Sequence, residues 1–599
     1  MAVALLAVAC VAAWFYFSSS RRHYRAEELL PAETLLFLDI PNTASSRQRF
    51  AGTALGKIWA EPEVQAFIEQ PLRTFRQTWE QNSEGRTIVQ NILRMLATAR
   101  GEAFLACTDV SISPGLNVTL IAGFDPGDQR KQAEQALERL MIQCRIEYPN
   151  AVLEERKFES ETYQVWSPSK KVKIAFARVG NFFLFSRGEE PLQQAILRAQ
   201  GKRKDRLAGA PSFAARRTQS VGSDALMFLN LQPLVERIKL LASFQPGLRE
   251  QIDSMLPFQT LLGASSFKDG GIEDHLWTVI PGARQNQLST FQKCDRSSLK
   301  ATSADAILYA TINLDLSKWY GDLKKRLGPN GDAILNETLA KALGPSPMRG
   351  IQLDEDILGL MGPELTFLLE WNESSGIAPS LIVQTHDAAK SRAAVEKLFV
   401  MLEPKWLEAL KKEGAHSPSP GRATGNTGTQ NPSKSRIYSL KSAGLDGKSF
   451  SPAFAVTDSW VIISLSAASV EKALSTLEGR TPSLATRPEF QTASSRFTKE
   501  GYLFIYCDPK RLFEPLYKLV DWAVSLAGRK EPGVGKYVDL SKLPRNETIS
   551  RHLFPSVHVQ GLESNGTHQS SFGPISLSGL TLGGLGAAIS QAEKETSSR

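Results

Sequence analysis

Cysteine and histidine are both scarce in this sequence of 599 residues, at five and seven. The cysteines (Cys10, Cys107, Cys144, Cys294 and Cys507) show no C-x-x-C spacing, which argues against a zinc knuckle and a disulfide scaffold. A Cys107–Cys144 bridge requires an oxidising compartment, and buried free thiols are the expected state. None of the histidines (His23, His275, His386, His416, His552, His558 and His568) pairs with another at helical ligand spacing. His552, His558 and His568 are close in sequence, but the alternating V-H-V around His558 reads as strand packing rather than metal ligation.

Catalytic motifs are missing as well. Neither G-x-S-x-G nor H-E-x-x-H occurs. The GKS at 447–449 resembles the end of a phosphate loop, yet Ser442 stands where that loop needs its first glycine. Gly533 and Gly535 lack the third glycine and the preceding strand of a dinucleotide fingerprint. The SPSK at 167–170 has S-x-x-K spacing, but Pro168 disfavours the helix such a pair acts from, so a solvated hairpin turn is expected. The sequence therefore assigns no catalytic residue, no cofactor and no metal.

Charge of one sign is lacking too. A formal excess of +8, from 70 basic and 62 acidic residues, is small over this length and does not indicate a nucleic acid partner. One stretch departs from that balance: Arg198, Lys202, Arg203, Lys204, Arg206, Arg216 and Arg217, with Asp205 alone opposing them. The cluster reads either as a solvated face or as a patch for anionic lipid headgroups, where each basic residue adds about 1 kcal/mol. The acidic run at 354–356 reads as the first turn of a helix through Met361.

What is there is a globular composition, 42% apolar and 22% charged, long enough for two to four domains. Residues 1–17 carry no charge and are almost wholly apolar, and arginines follow at 21, 22 and 25. A helix of that length is at the short end of what spans a bilayer, and Trp14, Phe15, Tyr16 and Phe17 suit an interfacial belt. We read residues 1–20 as an uncleaved anchor, with a signal peptide as the alternative. The absent basic leader and the trailing arginines oppose that orientation. A translation start upstream of Met1 would account for both.

Self-comparison organises the remainder. PAETLLF at 31–37 reads against SADAILY at 303–309, and GEAFLA at 101–106 against GPELTFLL at 362–369. ALERL at 136–140 reads against AVEKL at 394–398, and FLFS at 183–186 against VIIS at 461–464. PSF at 211–213 reads against PEF at 488–490, and Met227-Phe228 against Leu503-Phe504. Six blocks in one order imply a tandem duplication, with units at 26–298 and 299–575 and a small-residue-rich tail at 576–599. The second copy gains a loop at 414–436, whose Ser, Pro, Gly, Thr and Asn content cannot offset its own ordering entropy.

Within a unit, short apolar runs alternate with helical patterns. Residues 35–40, 103–107, 118–122, 172–177 and 182–186 read as strands, and 129–140 and 191–199 as helices. Residues 62–78 also look helical. The spacing predicts an α+β fold, each unit a mainly antiparallel sheet with helices on one face.

PAETLLFLDIP at 31–41, WAEPEV at 59–64, FPS at 554–556 and SFGP at 571–574 resemble a large bacterial family of anchored proteins with a domain of unknown function. The resemblance implies an extracytoplasmic body on the inner (cytoplasmic) membrane and supplies no activity. The expected function is a non-catalytic envelope scaffold or binding module, its partners the membrane, anionic lipid or an envelope protein. A carrier of lipid or another apolar ligand is the first alternative, marked by a pocket lined with Phe, Leu and Ile. A hydrolase whose site converges only in three dimensions is the second.

Overall fold

The computed structural model describes residues 23–70, 95–111, 117–169, 172–241, 258–280, 282, 288–326, 357–372, 376–412, 422–423, 436–440, 451–497, 501–517 and 539–575. Two compact units result. Unit 1 takes in Met1–Pro281, Gly535–Leu543 and Ile575–Arg599; unit 2 takes in Gly282–Val534 and Pro544–Pro574. The anchor expected at residues 1–20, the GKS motif, Gly533, Gly535 and the tail from 576 lie outside the described residues. Among those described, no helix is long and apolar enough to cross a membrane.

Unit 1 is an open antiparallel sheet with helices. Its strands are β1 (Leu36–Ile40), β2 (Ala103–Ser111), β3 (Asn117–Phe124), β4 (Val152–Phe158), β5 (Glu161–Ser169), β6 (Val172–Val179), β7 (Phe182–Arg187), β8 (Ala225–Asn230), β9 (Thr260–Lys268) and β10 (Gly271–Val279). They hydrogen-bond in the order β4-β5-β6-β7-β3-β2-β1-β8-β9-β10, every pair antiparallel.

The strands are apolar on both sides. In β7, Phe182 and Leu184 point into one cluster while Phe183 and Phe185 point into another. Residues alternate across a strand, so a run of apolar residues makes both faces of the sheet hydrophobic and both need cover. The first face packs the helices Ala26–Leu29, Glu190–Ala199 and Pro211–Arg217 over Phe37, Phe104, Ile121, Phe182, Leu184, Phe228 and Trp277. The second packs the helix Arg130–Glu147 through Ala133, Leu140 and Cys144 onto Phe124, Trp166, Phe176 and Phe183. Helices on one face only was the expectation; the doubly apolar strands overturn it.

Unit 2 has β11 (Ala306–Asn313), β12 (Met361–Asn372), β13 (Gly376–Thr385), β14 (Arg422–Ala423), β15 (Ile437–Leu440), β16 (Ala453–Val456), β17 (Trp460–Ser464), β18 (Leu503–Cys507), β19 (Ser556–Glu563) and β20 (Gly566–Gly573). Their antiparallel order is β14-β15-β16-β17-β13-β12-β11-β18-β19-β20. It is the order of unit 1 with each strand raised by ten places. The helices Ala467–Leu477 and Pro488–Ser494 cover one face, and Ala388–Lys412 contributes Val395 and Phe399 to the other.

Three local expectations need correction. Met361 does not end a helix: it opens β12 after the 3-10 turn Leu358–Leu360. Ser167 to Ser169 continue β5 past a register shift, so the strand reaches further than the expected turn. Within the loop at 414–436, Arg422 and Ala423 pair with Leu440 and Ser439, and the rest of its interior lies outside the described residues. The helix expected at 62–78 is seen over 62–70.

The register also shifts one pairing of blocks. Phe37 stands opposite Phe228, and Phe213 meets both edge-on at 5.9 and 5.2 Å. In unit 2, Tyr309 stands opposite Tyr506, with Phe490 at 6.4 and 5.0 Å. The residue placed like Phe228 is thus Tyr506, two positions beyond Phe504. A slip of two keeps the same face of the strand, so burial alone does not reveal it.

Candidate functional site

The second face of unit 1 is only partly covered. The helix Arg130–Glu147 lies over the β3-β7-β6-β5 side, and beside it a groove of about 440 Å3 runs across β2, β1, β8 and β9. Its walls are large apolar side chains: Leu38 and Ile40 of β1, Leu105 of β2, Met227 of β8, Leu276 of β10, with Phe124 and Phe185 toward the helix and Leu96 at the rim. Its floor is made of small residues, Ala103, Ala122, Ala225 and Gly263. Large residues around small ones produce the concavity. Leu38, Ile40, Leu96 and Leu105 are 37–42% exposed, an accessible apolar patch of the kind that marks binding.

Local chemistry holds the end of the groove. β1 stops at Ile40, and Asn42 caps the helix Thr43–Gly52 by accepting the Ser45 N–H at 2.9 Å. That helix is tied back by Ser46 Oγ and Arg49, which both donate to the buried Asp224 carboxylate at 2.6–2.8 Å. The other Asp224 oxygen accepts the Phe267 N–H at 2.7 Å. Phe50 packs edge-on against Phe267 at 5.4 Å. Ser265, on the groove lining, donates to Asp274 at 2.5 Å.

On the other side of the same strands lies a buried acid cluster. Asp39 sits between the groove residues Leu38 and Ile40 but faces the helix side, 2% exposed, and neither carboxylate oxygen has a hydrogen-bond partner. Glu102, just before β2, accepts the Ala26 N–H at 2.9 Å. Glu27 is held by Arg217 at 2.8 Å. Burial, then the Glu102 carboxylate, pushes Asp39 up to about 8. Burial pushes Glu102 up to about 7, opposed by the Ala26 N–H. In unit 2 the matching carboxylate, Glu364, accepts the Ser297 and Ser298 N–H groups, both at 2.9 Å. Thr311 stands where Asp39 does in unit 1, two residues past Tyr309 as Asp39 is past Phe37.

No curated protein and no solved structure matches the chain. A family model does. Residues 116–405 match the model of a protein of unknown function, DUF3352. The DUF3352 match begins beside β3 of unit 1 and ends within the helix Ala388–Lys412 of unit 2. Ala122, Met227 and Gly263 of the groove fall inside the DUF3352 match, and Leu38, Ile40 and Leu105 fall outside it. The residues that carry the family resemblance in sequence, at 31–41, 59–64, 554–556 and 571–574, also fall outside.

The basic cluster of the DUF3352-matched region is not one face. Arg198 and Arg217 are buried, the former on Asp205 and the latter on Glu27. Lys202 pairs with Glu159, Arg203 with Asp205, and Arg206 donates to the Arg198 carbonyl at 2.7 Å. Arg216 reaches Gln219, and Lys204 is exposed. Sequence proximity mixed interior and surface positions here because Arg217 shares the buried face of the helix Pro211–Arg217 with Phe213, four residues back, while Arg216 lies off that face.

Of the candidate metal residues, His558 pairs with Ser571, while His568 pairs with Gly561 on the opposite face of β19. They do not converge. Burial drives the His558 imidazole down to about 4. Among the described residues no group of three His, Cys, Asp or Glu is placed to hold a metal ion. Cys107, Cys144, Cys294 and Cys507 are free thiols.

Proposed function

We propose that the chain is a non-catalytic, membrane-anchored binding protein with an extracytoplasmic body, whose unit 1 carries an apolar ligand in the β2-β1-β8-β9 groove. The observation that carries this reading is the groove itself: about 440 Å3 in volume, with side chains of Leu, Ile, Phe and Met on every wall, within the size and chemistry of ligand sites. It favours the carrier over a plain scaffold, because a surface that only docks folded partners needs no concave floor of alanine and glycine. Ten buried methylenes would contribute about 8 kcal/mol. Association costs take back at least about 4 kcal/mol, leaving at most about 4 kcal/mol and a dissociation constant of roughly 1 mM or weaker.

The test exploits the floor. A Cβ on Gly263 would meet only Leu276 Cδ1 at 3.4 Å and Met227 Cε at 3.9 Å, ordinary contacts. Gly263→Leu should therefore fold and fill the groove. Dodecanol binding, measured by calorimetry on the full chain, should fall at least tenfold; unchanged binding would place any apolar site elsewhere.

The two units are read here as products of one tandem duplication. Support comes from the shared strand order and from the matched openings of the helices Pro211–Arg217 and Pro488–Ser494, each after a 3-10 turn. For the location, an alkaline phosphatase domain fused after Lys300, at the junction of the two expected units, should be active. A fusion active only with a cytoplasmic reporter would reverse the assignment.

A further inference from the structure

Two arginines lie beside Leu96 at the rim of the groove, and among the described residues neither is paired with a carboxylate. Arg47, on the helix that leaves β1, donates to the Leu96 and Ala97 carbonyls at 3.5 and 3.4 Å. Arg100 donates to the same Ala97 carbonyl at 3.2 Å and to Ala99 at 3.1 Å. Both guanidiniums thus converge on one carbonyl oxygen, next to Leu96, a groove-lining residue. Their neighbour Arg49 is different: Asp224 neutralises it. A carbonyl oxygen supplies only partial negative charge, so two full positive charges remain at the mouth of an apolar trough. Planar guanidiniums suit carboxylate and phosphate oxygens, which they bind in paired, charge-assisted hydrogen bonds.

We infer that the groove ligand is a single-chain anionic amphiphile, a long-chain carboxylate, with its tail over Ala122 and Gly263 and its headgroup between Arg47 and Arg100. This rests on the reading of the groove as an apolar-ligand site and adds the headgroup and its orientation. One chain is indicated by volume: at about 30 Å3 for each heavy atom, the space holds about fifteen. The charge selects an anion over an alcohol or an ammonium of equal length.

The experiment compares dodecanoate and dodecyltrimethylammonium, each below its micelle concentration, with dodecanol below its solubility limit, by calorimetry on the full chain. Dodecanoate should bind at least about tenfold tighter than dodecanol, the lower end for a single charge-assisted hydrogen bond, and the ammonium should bind weakest. The double variant Arg47→Gln, Arg100→Gln should bring dodecanoate down to dodecanol and leave dodecanol within about twofold of wild type. Equal binding of all three, or a dodecanoate preference that survives the double variant, overturns the headgroup assignment and leaves the groove reading standing. Failure of all three to bind overturns the groove reading itself. Dodecyl phosphate binding more than tenfold tighter than dodecanoate would overturn the choice of carboxylate.

Discussion

Arg217→Met should destabilise unit 1 by about 3–5 kcal/mol at pH 7.5, the usual cost of stripping one partner from a buried ion pair. The cation is 8% exposed and donates to Glu27 at 2.8 Å. It also lowers the proton affinity of both Asp39 and Glu102. Removing it leaves Glu27 without its Arg217 partner beside the buried Asp39 and Glu102. Arg25 cannot replace it, being about half exposed and 3.6 Å from the other Glu27 oxygen. The pH dependence separates this account from simple loss of packing. Without Arg217 the carboxyl groups take up protons more readily in the folded state. The deficit should therefore shrink at pH 5, where Asp39 and Glu102 are neutral, and grow as pH rises. Hydrogen exchange at the amides of Ala26–Leu29 and Phe37 reports unit 1 alone. A loss of protection equal at pH 5 and 7.5 would mean that methionine merely packs badly.

Much of the strand and helix framework was legible because it rests on local signals. The run at 35–40 alternates around Phe37, and Pro191 and Pro211 sit where a first helical turn tolerates the missing N–H. β4 and β5 were not legible. LEERK and ETYQ carry too many charges for an apolar template, and they form strands because they pair with each other and with β6. Tertiary context supplies that, and a single sequence does not show it.

The candidate site was illegible for a different reason. Periodicity identifies the two faces of a strand but not what lies on each. In β7 both faces are aromatic and both are covered; in β1 the face of Leu38 and Ile40 is open. Nothing in the sequence of either strand distinguishes them. Arg47 and Arg100 likewise carry no motif, lying on separate segments that the fold joins through the Ala97 carbonyl and the Ala44 N–H on the Arg100 carbonyl. The acid cluster is drawn from four elements, with Glu27 and Arg217 separated by 190 positions.

Asp39 is the residue of that cluster that stability alone does not favour. It has no hydrogen-bond partner, lies against Glu102, and occupies a position where unit 2 has Thr311. A carboxyl whose folded pKa is raised binds its proton more tightly in the native state than in the unfolded one. Its stabilisation is complete below the ordinary carboxylate range, declines as pH climbs from about 4, and is lost once pH passes about 8. Asp39→Asn keeps the shape and removes the titration. The variant should match wild type near pH 4 and gain on it steadily, by on the order of 5 kcal/mol at pH 8. The protection of the Phe37 and Phe104 amides against exchange is the readout. Phe104 is the register partner of Asp39, and Leu38 and Ile40 flank it on the groove side. Loosening here therefore reaches the groove wall, and affinity for dodecanol, which carries no titrating group, should weaken in wild type over the same pH interval while the variant stays flat. An advantage for Asp39→Asn that is constant from pH 4 to 8 would show that the carboxyl does not titrate there. The argument that burial and the Glu102 carboxylate hold the Asp39 proton would then fail.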